Sequence, residues 1–171
     1  MESPESDNVK SELQEFLVRK NVTEGEETKL SPLEALELAF TKDRNNWTSK
    51  IMKIISGVKD VNKIPDTQVD MLSERQKLVD MISKNYMILY KLKKSLEERY
   101  KEKYQWYLKK YDYNLKDSEK KSFIKADLIM DYTKVEMYEA HIDFYKESVK
   151  TLDNLGFAIR NRLRVLEENA T

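Results

Sequence analysis

From about Thr67 to Tyr111 no glycine or proline interrupts the chain, and apolar side chains recur at steps of three and four. Val69, Leu72, Gln76, Val79, Ile82, Tyr86, Leu89, Leu96, Tyr100, Tyr104, Tyr107 and Tyr111 follow this rhythm, with Leu92 or Lys93 filling the gap. A 3.6-residue helix places such positions on one side, so the pattern predicts one amphipathic helix. At 1.5 Å per residue it extends roughly 65 Å, too long to be satisfied by a compact domain, so it needs an equally long partner.

That partner is predicted next in the chain. Asp112-Tyr113-Asn114 supplies a turn, and Ser118 with Lys121 three residues on is half of a capping box. Phe123, Ala126, Met130, Thr133, Met137, His141, Phe144, Ser148, Leu152 and Leu155 then form a second three-four stripe. A short connection between long helices makes them antiparallel neighbours. Gly156 is expected to end this helix, leaving Phe157–Leu166 as a short last one. Too short to be stable alone, that segment has to dock, and docking on another subunit is the economical choice because the hairpin's seam is filled. Leu152, Leu155, Phe157, Ile159, Leu163 and Leu166 are the candidate oligomerisation residues.

Before the hairpin, Ser31-Pro32-Leu33-Glu34 reads as a helix start, with a serine cap, proline at the first helical position and an acidic first turn. The helix is expected to bury Leu33, Ala35, Leu36 and Phe40 and to continue through Trp47, Ile51 and Ile54 until Gly57 and Pro65 break it. Residues 1–30 are acidic and poor in large apolar side chains, apart from Leu13, Phe16, Leu17 and Val18, and are expected to be a partly disordered arm. The predicted fold is therefore all-α: an acidic arm (1–30), a short helical extension (31–64), a long antiparallel hairpin (65–155) and a short C-terminal helix (156–171).

Charge narrows the function. The chain carries 31 basic and 31 acidic residues, with charged residues at 36%, yet their distribution is uneven. From Lys84 to Lys110 lysines and Arg99 outnumber Glu97, Glu98 and Glu102, and the stretch Lys91–Tyr113 interleaves lysine with tyrosine and tryptophan. Lysine neutralises phosphate and an aromatic face stacks on a base, which is the chemistry of a single-strand binder. The same letters also suit a structural coiled coil, with tyrosines in the seam and lysines in solvent, and on the residues alone both readings stand.

Catalysis finds no support. The chain has no cysteine and one histidine, His141, on the inward stripe. There is no HExxH, no GxxxxGK[ST] and no GxGxxG, so neither a metal nor a nucleotide cofactor is expected. No apolar run is long enough for a membrane span, the acidic N-terminus is unlike a signal peptide, and cysteine is lacking, so a cytoplasmic protein is expected.

Two strings carry a family resemblance. Lys101-Glu102-Lys103-Tyr104-Gln105-Trp106-Tyr107 is similar to the basic-x-basic-apolar-polar-aromatic-aromatic motif of the UvsY-type recombination mediators of tailed phages. Ile142-Asp143-Phe144, followed after eleven residues by Gly156-Phe157-Ala158-Ile159-Arg160, resembles the other end of that family at the same spacing. The resemblance spans about residues 65–168. It implies a non-enzymatic protein of the host cell cytoplasm that binds single-stranded DNA and assembles into hexameric or heptameric rings. Such a protein helps a RecA-like recombinase displace the single-strand-binding protein.

The family's basic pair maps onto Lys101 and Lys103 and its aromatic pair onto Trp106 and Tyr107, with Lys109 and Lys110 as supporting charge. Its assembly segment maps onto about Leu152–Leu166. The chain departs from the pattern at Lys103, where the family has arginine. It departs again at Leu108-Lys109-Lys110-Tyr111, which continues the helix where the family has a glycine-containing loop. Residues before Pro65 have no counterpart.

Overall fold

The computed structural model describes residues 30–170 except 112 and 114, and the expected acidic arm lies outside them apart from Leu30. The elements are α1 (Pro32–Gly57), a 3₁₀ turn (Val61–Lys63), α2 (Ile64–Lys109), α3 (Asp117–Asp127) and α4 (Ile129–Ala170). The fold is all-α, with no strand among the described residues.

α2 is 46 residues long, close to the length its unbroken sequence predicts. Its start uses Pro65 within the first turn, where a missing N–H costs nothing, while Lys63 at the cap makes no side-chain cap bond. α3 opens with Glu119 reaching back to accept the Lys116 N–H at 2.7 Å, so the closing half of the capping box comes from Glu119 and the expected Ser118–Lys121 pair plays no part. α3 and α4 meet at Leu128, where the ladder runs on: the Leu128 N–H bonds to Ile124 O, and the Tyr132 N–H to Leu128 O, each at 3.0 Å. The junction is a bend in one long second arm.

Ion pairs give the register of that arm on α2. Arg75 pairs with Asp153, Lys93 with Glu139, Arg99 with Asp131 and Lys103 with Asp127. As the number on α2 rises, its mate's falls in step, so α2 and α3–α4 form an antiparallel hairpin. α1 lies on this hairpin parallel to α4, with Phe40 against His141, Trp47 against Tyr145, and the Val58 carbonyl accepting from Arg162. The helical extension is thus the third helix of a bundle at one end of the hairpin.

The seam is offset by about one residue from the expected stripes in two places. On α2 the buried positions are Ile64, Thr67, Met71, Leu78, Asn85, Leu89 and Tyr107. Val69 and Leu72, expected inside, are 68% and 60% exposed. On the second arm Ile124, Leu128, Val135, Ile142, Tyr145, Leu152 and Ile159 are buried, whereas Phe123 and Met130 are exposed. The offset arises because the face of α4 around Met137, Ala140 and His141 turns toward α1 and does not face α2. Ala35, expected inside α1, is exposed.

Three clusters hold the bundle. Trp47, Ile51, Ile54, Ile64, Met71, Leu78, Tyr145, Leu152 and Ile159 join α1, α2 and α4. Leu89, Val135 and Ile142 hold the middle of the hairpin, and Tyr107, Ile124 and Leu128 hold its tip. Each fully buried aliphatic contributes about 1.5–3 kcal/mol before entropy is counted. Among the described residues no buried side-chain nitrogen or oxygen is left without a hydrogen bond.

α4 does not stop at Gly156. It runs on to Ala170, so the expected separate last helix is the end of α4. Glycine here admits a neighbour: a Cβ would sit 3.3 Å from Met71 Cε, so the missing side chain lets α2 pack close. A glycine in a helix interior costs about 1 kcal/mol against alanine, far less than the packing on either side supplies.

Candidate nucleic-acid interface at the hairpin tip

The tip is built from the end of α2 and from α3. Tyr107 is its anchor, 8% exposed, with Ile124 and Leu128 at 0% on the facing arm. Tyr100, Tyr104, Tyr111, Leu115 and Tyr132 pack around them. The phenols are tied to carboxylates across the hairpin: Tyr104 donates to Asp117 at 3.0 Å and Tyr107 to Asp127 at 3.3 Å. Burial, then the Asp127 charge, pushes the Tyr107 phenol above its usual range.

Trp106 stands on this anchor. Its ring meets Tyr107 edge-on at 4.9 Å and Tyr111 at 5.6 Å, and the residue is 43% exposed. Held on one side and open on the other, it is a fixed aromatic surface facing solvent. Helix geometry places Lys103 three positions before it and Lys109 and Lys110 three and four after, the spacings at which side chains on a helix adjoin. Lys109 and Lys110 are exposed and form no ion pair among the described residues.

Lys101 and Lys103 sit differently. Lys101 is exposed and pairs with Glu97 one turn back at 2.7 Å, which raises its pKa. Such solvent-exposed pairs contribute little and yield readily to a competing anion. Lys103 reaches Asp127 at 2.8 Å, the carboxylate that also accepts from Tyr107, so it helps clamp the tip. Tyr107, nearly enclosed, has no free face for stacking. Of the six candidate DNA residues, the structure gathers Lys103, Trp106, Lys109 and Lys110 on neighbouring turns, places Tyr107 beneath them and sets Lys101 apart with Glu97.

Phe123 belongs to this surface although the sequence assigned it to the seam. It is 45% exposed and stacks on Tyr107 at 6.2 Å with ring planes 18° apart. The signal was present: Leu128, Val135 and Ile142 repeat every seven residues, and Ile124 stands one four-residue step before Leu128 in the row of Tyr138, Tyr145 and Leu152, which leaves Phe123 at the margin. Tyr113, 74% exposed, adds another ring 5.9 Å from Tyr111. Between Lys101 and Lys125 the sequence holds eight lysines against four carboxylates, so the tip is cationic on a neutral chain.

No family model, curated protein or solved structure matches this chain. The reading of the tip therefore rests on its own geometry and on the resemblance of the two strings. Among the described residues no group of histidine and carboxylates converges as metal ligands would, and no helix is long and apolar enough to cross a membrane.

The candidate oligomerisation residues divide by burial. Leu152 and Ile159 are fully buried within the chain, and Leu155 and Leu163 pack on the same core. Their expected role at a subunit contact met a third helix that the hairpin reading did not include, since α1 completes the core they enter. Phe157 and Leu166 remain exposed, at 59% and 41%, with Arg160 lying over the Phe157 ring at 4.5 Å.

Proposed function

We propose that the chain binds single-stranded DNA through the hairpin tip and acts as a recombination mediator of the UvsY type. In this reading it works as a homo-oligomer that helps a RecA-like recombinase take over DNA covered by single-strand-binding protein. The observation that carries this is Trp106, a rigidly backed aromatic surface adjoined by Lys109 and Lys110, which form no ion pair among the described residues. A base stacks on the indole while adjacent phosphates meet the lysines, and double-stranded DNA, whose bases are already stacked, offers only phosphate. Asp127 and Glu97 hold Lys103 and Lys101 until phosphate competes for them.

Free energy for strand remodelling comes from binding alone. A site of this size binds weakly, and repetition around an oligomer raises the effective concentration of the next site. A mobility-shift comparison of single- and double-stranded oligonucleotides of equal length tests the reading. A clear single-strand preference is expected, and equal or absent binding would remove it.

A purely structural role is the second reading. It draws on the apolar stripe that α2 presents outward, beginning with Val69 and Leu72. A protein of that kind shows no single-strand preference in the same assay.

A further inference from the structure

The stripe the sequence marked as the seam of α2 is a second, unused seam. Val69, Leu72, Gln76, Val79, Ser83, Tyr86 and Tyr90 alternate steps of three and four without a fault over about three heptads. Val69, Leu72, Tyr86 and Tyr90 are 68%, 60%, 44% and 71% exposed, and Met87 beside them is 65% exposed. The intrachain contacts of α2 use the neighbouring row through Met71, Leu78, Asn85 and Leu89. A strict heptad left in water is the complement of another helix, because only a helix offers holes at that spacing over about 30 Å.

Charge identifies which helix. The flank of this stripe away from the hairpin carries, in order, Asp66, Asp70, Lys77, Asp80, Lys84 and Lys91. It is acidic at the start, mixed in the middle and basic at the end. Laid antiparallel on a copy of itself, such a row sets acid against base along its length; laid parallel, it sets like against like. Asp70 and Lys84 form no ion pair among the described residues, so both are available to a partner.

The row also selects the register. Heptad layers in an antiparallel pair match the first apolar position of one helix with the second of the other. Layering Leu72 on Ser83 of the second copy, and Gln76 on Val79, brings Asp70 beside Lys84 and Lys77 beside Asp80. Shifting to the next allowed layer brings Lys77 against Lys84 instead. We infer that α2 forms an antiparallel, two-fold interface with α2 of a second copy of this chain, in the register that pairs Asp70 with Lys84. Gln76, polar in an apolar layer, fixes that register as polar seam residues do in coiled coils. An isologous contact of this kind closes on itself as a dimer.

The test uses charge reversal and cross-linking in the full chain, with helix content checked by circular dichroism. Asp70→Lys alone and Lys84→Asp alone each oppose like charges twice across the two-fold, and each is expected to weaken self-association about tenfold or more in sedimentation. Mixed together they restore pairing, since each supplies what the other lacks. The chain has no cysteine, so single cysteines report proximity directly. Leu72→Cys mixed with Ser83→Cys is expected to give a disulfide-linked pair, and neither variant alone. Self-linking of Leu72→Cys would show parallel pairing and overturn the inference. No cross-link in either mixture, with unaltered sedimentation of the charge variants, would show that no second copy docks here. None of these readings involves DNA, so the outcome is independent of the tip.

Discussion

Tyr145 on α4 and Asp43 on α1 lie 102 positions apart and share a 2.6 Å hydrogen bond, the phenol donating. The phenol is 1% exposed, and burial foremost pushes its pKa far up. Its oxygen also lies 2.9 Å from Nε2 of His141, and Arg44 Nε donates to His141 Nδ1 at 3.3 Å. Because arginine only donates and the tyrosine proton is committed to Asp43, His141 is neutral with its proton on Nε2. Phe40 covers the ring at 4.0 Å. Tyr145→Phe removes the acceptor of a buried N–H and is expected to cost about 1–3 kcal/mol, read as a shift in the urea midpoint with an unchanged slope.

The same cluster gives a pH dependence. Burial, aided by Arg44 and opposed by Asp43, lowers the His141 pKa below 6.5. The unfolded chain therefore takes up its proton at a higher pH than the folded one, and stability falls as pH drops from about 6.5 to the folded value. Urea titrations between pH 8 and 5 are expected to show this loss. His141→Asn is expected to start less stable and to show a flatter profile across that window. An equal slope in the variant would place the dependence elsewhere.

The two described helical glycines respond oppositely to alanine. At Gly57 a Cβ would lie 2.6 Å from Thr67 Oγ1 and 3.3 Å from Thr67 Cγ2, and Thr67 is buried and branched, with no room to retreat. Gly57→Ala is expected to cost about 1–3 kcal/mol through strain. At Gly156 the neighbour is the flexible end of Met71. Gly156→Ala trades a small adjustment for up to about 1 kcal/mol of helix propensity, so its midpoint is expected to stay level or rise.

Leu78 and Leu72 lie on adjoining faces of α2, at 0% and 60% exposure. Leu78→Ala is expected to destabilise by about 2–5 kcal/mol, and Leu72→Ala to leave the fold within about 0.5 kcal/mol. Denaturation measured below the concentration of self-association checks the contrast.

The sequence carried the length of α2, the antiparallel hairpin and the start of α1 at Pro32, since these follow from periodicity and from proline placement. It carried the phase of the seam from Ile82 and Leu89 to Tyr111, which pack in the hairpin, and missed it at the start of α2. Val69 and Leu72 continue the same stripe toward the start of α2, yet Met71 and Leu78 on the neighbouring row enter the core that α1 shares with α4. Gly156 misled for a related reason: a glycine that ends a helix and one that admits a close neighbour read alike without the neighbour, here Met71. At the tip, the lysine–aromatic interleaving was legible, whereas the clamping of Lys103 by Asp127 depends on residues 24 positions apart. Phe123 was missed because its neighbour Ile124 is also apolar, and only Ile124 shares the three-four rhythm of Leu128, Val135 and Ile142.

The central claim is that Trp106, Lys109 and Lys110 form the single-strand site, and salt dependence of binding tests it most directly. Fluorescence anisotropy of a labelled single-stranded oligonucleotide across a salt series gives both affinity and slope for the wild type, for Trp106→Ala and for Lys109→Ala/Lys110→Ala. Removing the two lysines is expected to make the slope of log K against log salt shallower by about 1.4, at roughly 0.7 per phosphate contact on a single strand. Losing Trp106 is expected to cost about 1–3 kcal/mol with the slope retained. Affinity and slope unchanged in both variants, with helix content intact, would contradict the account.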